Sequence, residues 1–437
     1  MKILKFGGSS LASQEQITKV IDIVHNEAEE CAVVVSAPGK DKEIPYKVTD
    51  LLLRLRGEIN KSNNDLTVDD SERLLKKRFS QICSSFGLAD LETKIIDEIS
   101  SLRKDPCSVP YTSSRGENYM ARIMARLLNL PFIDSRDFIT PDLKTSYQNL
   151  QRIQQKSFVF PGFYGEDNKK IFTFSRGGSD KTGAILANAF DASMYENWTD
   201  VDGIYYANPR IIGITPQTVS HMTYKEIREL SQKGTNVFHS EAMIPLIEKN
   251  IQVNIRNTNN PNHPGTTISD TQYRQPRTKI AGIAGQPGFS YISIEKFMMD
   301  DEIGLGRRVF QIIEDHGLSY NHETTSKDSL AVVLENTPKF NKARKDLENE
   351  LNQRLNPDRL IFQDNIALVA IVGESMVNTP GMLGRSATTL GNSDINIRCT
   401  FHAPAEYNIT FGVNESEYEG AVNALYREFI DKDYKPI

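Results

Sequence analysis

The chain is poor in the features that place a protein at a glance. Its 437 residues hold one tryptophan and four cysteines. Those cysteines, Cys31, Cys83, Cys107 and Cys399, show no C-x-x-C spacing, which argues against a zinc site or a disulfide framework and for idle thiols in a reducing compartment. No apolar run reaches bilayer length; "CAVVVSA" and "IALVAIVG" are the longest. Lys2 and Lys5 lead into glycine rather than an apolar segment, so no signal peptide is expected and a cytoplasmic location is. A net charge of −6 gives no basic footprint for nucleic acid. No G-x-x-x-x-G-K-[ST] occurs, and the seven histidines have no metal-ligand spacing.

What is present is a soluble globular composition, 39% hydrophobic and 25% charged, with length for two or three domains. Residues 1 to about 275 alternate strand candidates with helical stretches. "KILKF", "CAVVVSA", "PFIDS", "SFVFPGF", "KIFTF", "ASMYENW" and "IQVNIRN" read as strands, and "SQEQITKVIDIVHNEAEE" and "ENYMARIMARLLNL" as helices. The alternation predicts an α/β domain around a largely parallel sheet, with ligands at the carboxyl ends of the strands. Residues 57–105 read as a charged helical excursion. "NTNNPNHPGTTISD", 257–270, closes the domain. Beyond it the chain repeats itself: Gly304 matches Gly381, and Leu318 matches Ile395. Each copy reads strand, loop, helix, strand, turn, strand, which predicts two small α+β modules.

Two glycine turns stand out. "KFGGSS" ends a strand at Gly7-Gly8, with Lys5 inside the strand and Ser9, Ser10 and Ser13 as helix-cap candidates. "FSRGGSDKTGAILANAF" turns at Arg176–Asp180 into a small-residue helix, where backbone N–H groups and Arg176 suit an anion. One such turn is equally well simple geometry; two, each beside a cation, favour a polyphosphate. "ENWTDVDGIYYANPR" adds Thr199, Asp200, Tyr205 and Arg210, an assortment suited to a nucleotide. Glu117 reads either as a first-turn acid of its helix or as an acceptor for an ammonium group, and Thr49 as a helix cap.

In this order, "KFGGSS", "RGGSD", "WTDVDGIYYANPR" and "RNTNNPNHPGTTI", followed by two ACT-type repeats, resemble an aspartokinase of the amino-acid kinase fold. The resemblance spans nearly the whole chain. It implies a catalytic domain over 1–275 and a regulatory region over 276–437. One ACT module, about 287–360, is inserted within a second made of 278–285 plus 361–437. It implies transfer of phosphate from Mg-ATP to the β-carboxylate of L-aspartate, the first step towards lysine, threonine and methionine. Lys5, Arg176 and Glu117 are the catalytic residues it implies, and Thr49, Glu117, Arg176 and Ser179 hold aspartate. Lys5, Gly7, Gly8, Ser9, Thr199, Asp200, Tyr205 and Arg210 hold the nucleotide, with no protein metal site. An end product such as lysine or threonine is expected at Met299, Glu302, Gly304 and Asn321, in a homodimer formed through the ACT modules. No dinucleotide fingerprint follows, so no fused homoserine dehydrogenase is expected.

The chain also departs from the family. Asn236 stands where relatives carry a lysine near the nucleotide, Ser175 where a glycine commonly precedes Arg-Gly-Gly, and Lys233 is the expected substitute cation. Asn321 replaces an acid of lysine-sensing relatives and Glu302 a small hydroxyl, which speaks against lysine control unless Glu302 itself meets an ammonium group. Two alternatives stay open: another amino-acid kinase, and a non-catalytic amino-acid sensor.

Overall fold

A computed structural model describes residues 1–58, 66–104, 108–175, 177–213, 217–234, 238, 242–270, 280–402 and 407–431. The chain divides into two compact units. The first is Met1–Ile204, Thr218–Ile227 and Asn236–Arg274; the second is Tyr205–Gln217, Arg228–Thr235 and Gln275–Ile437.

The first unit is built on a seven-stranded sheet. Its strands run, side by side, Phe158–Pro161, Cys31–Val35, Lys2–Phe6, Met194–Thr199, Val253–Asn257, Thr266–Ile268 and His221–Met222. The first five are mutually parallel, and the Thr266–Ile268 strand runs against them. Both faces are covered, which is why Cys31–Val35 is apolar at every position. Leu4, Phe6, Val33 and Val35 face a core shared with Ile17 and Val20 of helix Gln14–His25 and Met120 and Met124 of helix Val109–Leu128. Side chains alternate along a strand, so Lys5 points to the opposite face. Helix Gly178–Ala189 lies there.

Helices Val68–Ser85 and Ala89–Lys104 form the excursion, and Leu75, Phe79, Ile95 and Ile99 join the same core. Its anchor is Arg78, whose buried guanidinium donates to Ala12 O, Ile44 O and the Asp41 carboxylate.

Local differences from the sequence reading have local causes. "PFIDS" makes a single bridge, Phe132 to Val159, because Pro131 and the turn at Asp134 leave no room for a ladder. "KIFTF" pairs with Tyr164–Asp167 in a separate hairpin, turned by Asn168 and Lys169 at positive φ. The helix expected from Glu117 begins earlier, at Val109, capped by Ser108 and opened by Pro110. Glu117 is therefore its ninth residue and not a first-turn acid. Thr49 lies inside helix Val48–Leu55, whose N-cap is Lys47. Ser13 alone of the three early serines caps a helix through its side chain, accepting from Gln16 N; Ser10 is buried against Thr258 at 2.7 Å.

The second unit contains a six-stranded antiparallel sheet. Two long strands, Gly282–Glu295 and Arg359–Val372, form its centre, each irregular near the middle. On the half where 289–295 lies against 359–366, the sheet continues through Ser329–Glu335 to His322–Thr325. On the half where 282–286 lies against 368–372, it continues through Asn408–Asn414 to Cys399–Phe401. The repeat is visible in the backbone. Helices Leu305–Asp315 and Met382–Gly391 each start from a left-handed glycine, Gly304 at φ 79° and Gly381 at φ 84°. These are two ACT modules.

Candidate active site and effector cavity

Parallel strands of the first unit deliver their carboxyl ends to one edge, and two of the catalytic candidates, Lys5 and Glu117, are found there. Lys5 is 8% exposed, and its ammonium lies 2.6 Å from Asp180 Oδ1 and 3.2 Å from Asn197 Oδ1. Asn197 Nδ2 donates to the same Asp180 oxygen at 3.2 Å, closing a triangle across two neighbouring strands and a helix. Asp180 sits in the first turn of helix Gly178–Ala189, where the helix dipole favours an anion. By sequence alone Asp180 is a turn residue with no role; its partner lies 175 positions away.

Beyond Phe6 the chain runs bare. Gly7 N donates to Trp198 O at 3.0 Å, and Gly8 O accepts from Gly39 N at 2.7 Å. A Cβ on Gly8 would come within 2.7 Å of Ala37 O, so two loops meet here backbone to backbone. Ser9 is exposed on this turn. Gly162 does the same for Ser179: its own Cβ would lie 2.6 Å from that of Ser179, which is buried beside it.

Glu117 is carried to Ala37 by close helix packing, since a Cβ on Gly116 would sit 2.7 Å from Ala37 Cβ and 3.0 Å from Val48 Cγ1. Its carboxyl is placed near the Ala37 N–H, and Oε2 is buried without a partner. Burial pushes this carboxyl up to about 8, against the opposing pull of the Ala37 N–H and the Arg115 charge. Thr49, half-buried, follows Val48 on the neighbouring helix. Thr199 ends its strand and donates to Asp200 Oδ1 at 3.1 Å. Arg176 and Asn236 lie outside the described residues.

The remaining candidates belong to the second unit. Tyr205 is half-buried, and Arg210 is exposed on the single turn Pro209–Ile212. Lys233 Nζ lies 2.8 Å from His322 Nε2, so the expected substitute cation is engaged by the C-terminal sheet. A cavity of about 360 Å³ is lined by Met299, Glu302 and Gly304 on one side and Glu323, Thr324 and Thr325 on the other. Asn321, exposed, stands outside that lining. Glu302 is held by Lys296 at 2.5 Å and by Arg308, and the Lys296 hydrogen bond keeps its carboxyl below the usual range. It is therefore already paired. Among the described residues no cluster of three acidic, histidine or cysteine side chains exists that could hold a metal, and no helix is long and apolar enough to cross a membrane.

Comparison with known proteins agrees with this layout. Residues 1–257 match the amino acid kinase family and residues 369–429 match an ACT domain. Aspartokinase 3 of Bacillus subtilis is 36% identical, with 98% of each chain covered. A chloroplastic aspartokinase 1 of Arabidopsis thaliana is 26% identical over 98% of this chain. Among solved structures, Clostridium acetobutylicum aspartate kinase superposes with a TM-score of 0.89 at 36% identity, covering 98% of this chain and all of the other. Escherichia coli aspartokinase III, at 22% identity and a TM-score of 0.73, shares the fold. With a kinase sheet that gathers Lys5, Asp180 and Glu117 at one edge, paired ACT modules after it in the chain, and relatives matched end to end, the chain belongs to the aspartokinase family.

Proposed function

We propose that the protein transfers the γ-phosphoryl group of ATP to the β-carboxylate of L-aspartate, giving 4-phospho-L-aspartate and ADP, under feedback control by an amino acid. The observation that carries this reading is Lys5, a buried cation locked by Asp180 and Asn197 above a glycine turn with no side chain in the way. A fixed cation beside bare backbone stabilises charge on a phosphoryl group in flight without having to reorganise.

Aspartate needs little activation. Its β-carboxylate has a pKa of about 3.9 and is an anion at neutral pH. One of its oxygens attacks the γ-phosphorus, the bond to the β,γ-bridging oxygen breaks, and that electron pair leaves with ADP. No proton moves, so no general base is required. Lys5 faces the transferring group, and Gly7, Gly8 and Ser9 form the floor. Glu117 offers its unpartnered oxygen to the substrate ammonium, helped by Thr49 and Ser179, and Arg176 takes a carboxylate. Thr199, Asp200, Tyr205 and Arg210 are assigned to the nucleotide. Mg²⁺ would be carried mainly by phosphates and water, since Asp180 is spent on Lys5; bound, it would neutralise phosphate charge.

We assign catalysis to 1–275 and regulation to 276–437, and place the enzyme in the cytoplasm. The effector cavity is the one beneath Gly304, and Ile303 beside it is 95% exposed, which suits burial against a second copy in a homodimer. The deciding assay is ADP release from Mg-ATP with aspartate, then glutamate, each with and without lysine or threonine. Aspartate-dependent turnover is expected, with one effector arm reduced. No turnover from folded protein that binds an effector would return the chain to the sensor reading.

A further inference from the structure

The segment "NTNNPNHPGTTISD" closes the first domain, and the assigned roles leave it unused. It begins where strand Val253–Asn257 ends, at the same edge of the sheet as the ends of Lys2–Phe6 and Met194–Thr199. Its first four side chains all reach away from the segment. Asn257 Nδ2 donates to Asp202 Oδ1 at 2.8 Å, and Asn260 Nδ2 donates to the same oxygen at 3.1 Å. Thr258 is fully buried; its N–H donates to Thr199 O at 2.9 Å, and its hydroxyl lies 2.7 Å from that of Ser10. Asn259 Oδ1 accepts from Gln16 Nε2 at 2.8 Å and from Lys19 Nζ at 3.1 Å, both on helix Gln14–His25. Further along, the buried Thr266 Oγ1 accepts the Ile204 N–H at 2.8 Å and donates to Val219 O at 2.6 Å.

These contacts converge on two places. One is the loop after Thr199, gripped at Thr199 O, Asp202 and Ile204 N, with the exposed Asp200 side chain between the grips. The other is the glycine turn, held at Ser10, the residue after Ser9. A loop that a ligand must order subtracts the ordering cost from affinity, and contacts that order it beforehand remove that cost. The bonds are also of the kinds that resist loosening. Asp202 offers a charged acceptor, which strengthens a hydrogen bond. Ser10 and Thr258 are sealed from water, so losing either hydroxyl strands the other.

We propose that residues 257–260 form a brace that fixes the Thr199–Asp202 loop relative to the glycine turn and so sets the affinity for ATP. Asn257 and Thr258 are positioning residues, acting through Asp202, Thr199 and Ser10. This rests on the reading that gives Thr199 and Asp200 to the nucleotide and Gly7, Gly8 and Ser9 to its phosphates.

The test uses the full chain. Asn257→Asp keeps the side-chain size and the oxygen that accepts the Asn259 N–H at 2.8 Å, but sets a second carboxylate against Asp202. Adding Asp202→Asn restores a donor and an acceptor with the roles exchanged. Thr258→Val removes one hydroxyl and keeps the shape. KM for ATP and for aspartate are read by ADP release, and Kd for Mg-ADP by calorimetry without aspartate. Asn257→Asp and Thr258→Val should each raise KM for ATP and Kd for Mg-ADP about 5- to 20-fold, the scale of one lost hydrogen bond, while KM for aspartate moves less than about twofold. The exchanged pair should recover part of the loss. Equal rises for both substrates, an unchanged Kd for Mg-ADP in both single variants, or no recovery in the exchanged pair would overturn the proposal and leave the segment a packing element. If Asn257→Asp does not fold, Thr258→Val decides. A wild type that binds Mg-ADP without aspartate-dependent turnover would sink the kinase reading, and the Kd series would still decide the brace. A wild type that binds no Mg-ADP would sink both.

Discussion

Two buried charge clusters meet at the edge of the kinase sheet, and they are built on opposite plans. Around Lys5 every charge is answered: the ammonium has a carboxylate and an amide, and the carboxylate has both in return. Around Glu117 the site is left open, with one carboxyl oxygen unpartnered even beside the Arg115 charge. The first cluster is finished before any ligand arrives, as suits a group that must hold still while charge moves past it. The second is incomplete by itself, as suits groups whose partners come with the substrate. With the roles proposed for them, catalytic placement and substrate recognition are separated between two clusters.

The sharpest way to break the contrast is at Lys5. Lys5→Met should lower kcat by roughly 10²- to 10³-fold, the scale of losing one preorganised electrostatic contact, while KM for aspartate stays near wild type. It also strands Asp180, so chemical denaturation should show a loss of about 3 kcal/mol. Adding Asp180→Asn should return much of that stability and none of the rate. If the single variant unfolds no more easily than wild type, the cluster is not a closed unit.

The open cluster should respond to pH. With its carboxyl at about 8, Glu117 is mostly protonated at pH 6 and must lose that proton to meet an ammonium group. KM for aspartate should therefore fall about tenfold per unit as pH rises from 6 to 8, then level off. Glu117→Gln should raise KM at pH 8 and flatten the profile. Stability carries the same sign. A carboxyl raised in the folded state weakens folding as pH climbs from its unfolded value through 8, so Glu117→Gln should gain in melting temperature over that span and hold the gain above it. A wild-type KM independent of pH between 6 and 8 would remove Glu117 from ammonium binding.

The smallest effect belongs to a charge that is paired but exposed to water. Glu302→Gln should leave the urea midpoint close to wild type despite two cationic neighbours, because solvent screens the pair. A marked fall in that midpoint would mean that the loop is tied down more tightly than its exposure implies.

Much of this was legible in the residues. Lys5 and Gly7-Gly8 announce themselves, because a cation in an apolar strand and a glycine pair at its end are local oddities; Glu117 does not, since it reads equally as a first-turn acid. The duplicated modules were legible for a similar reason, since Gly304 and Gly381 each begin a helix in the left-handed region. What stayed hidden was long-range or disguised. Asp180 looks like any turn acid until the fold brings Lys5 to it. The early start of the Val109 helix is masked by "SVPYTSSR", a polar run whose serines and proline read as loop but serve as cap and first turn. Arg115 passes for a surface charge until its burial is seen.

The strand pairing of the C-terminal sheet carries a consequence for how the chain is made. Residues 282–286 leave the ribosome first, yet their partners at 368–372 follow some eighty residues later. At roughly 5–20 residues per second that is a wait of about 4–16 s. During it the intervening module can close on 289–295 and 359–366, while the earlier half-strand stays an unpaired edge open to a wrong neighbour. Any excision of the second module along a single cut would discard that strand, so the pair is inherited, expressed and lost as one piece.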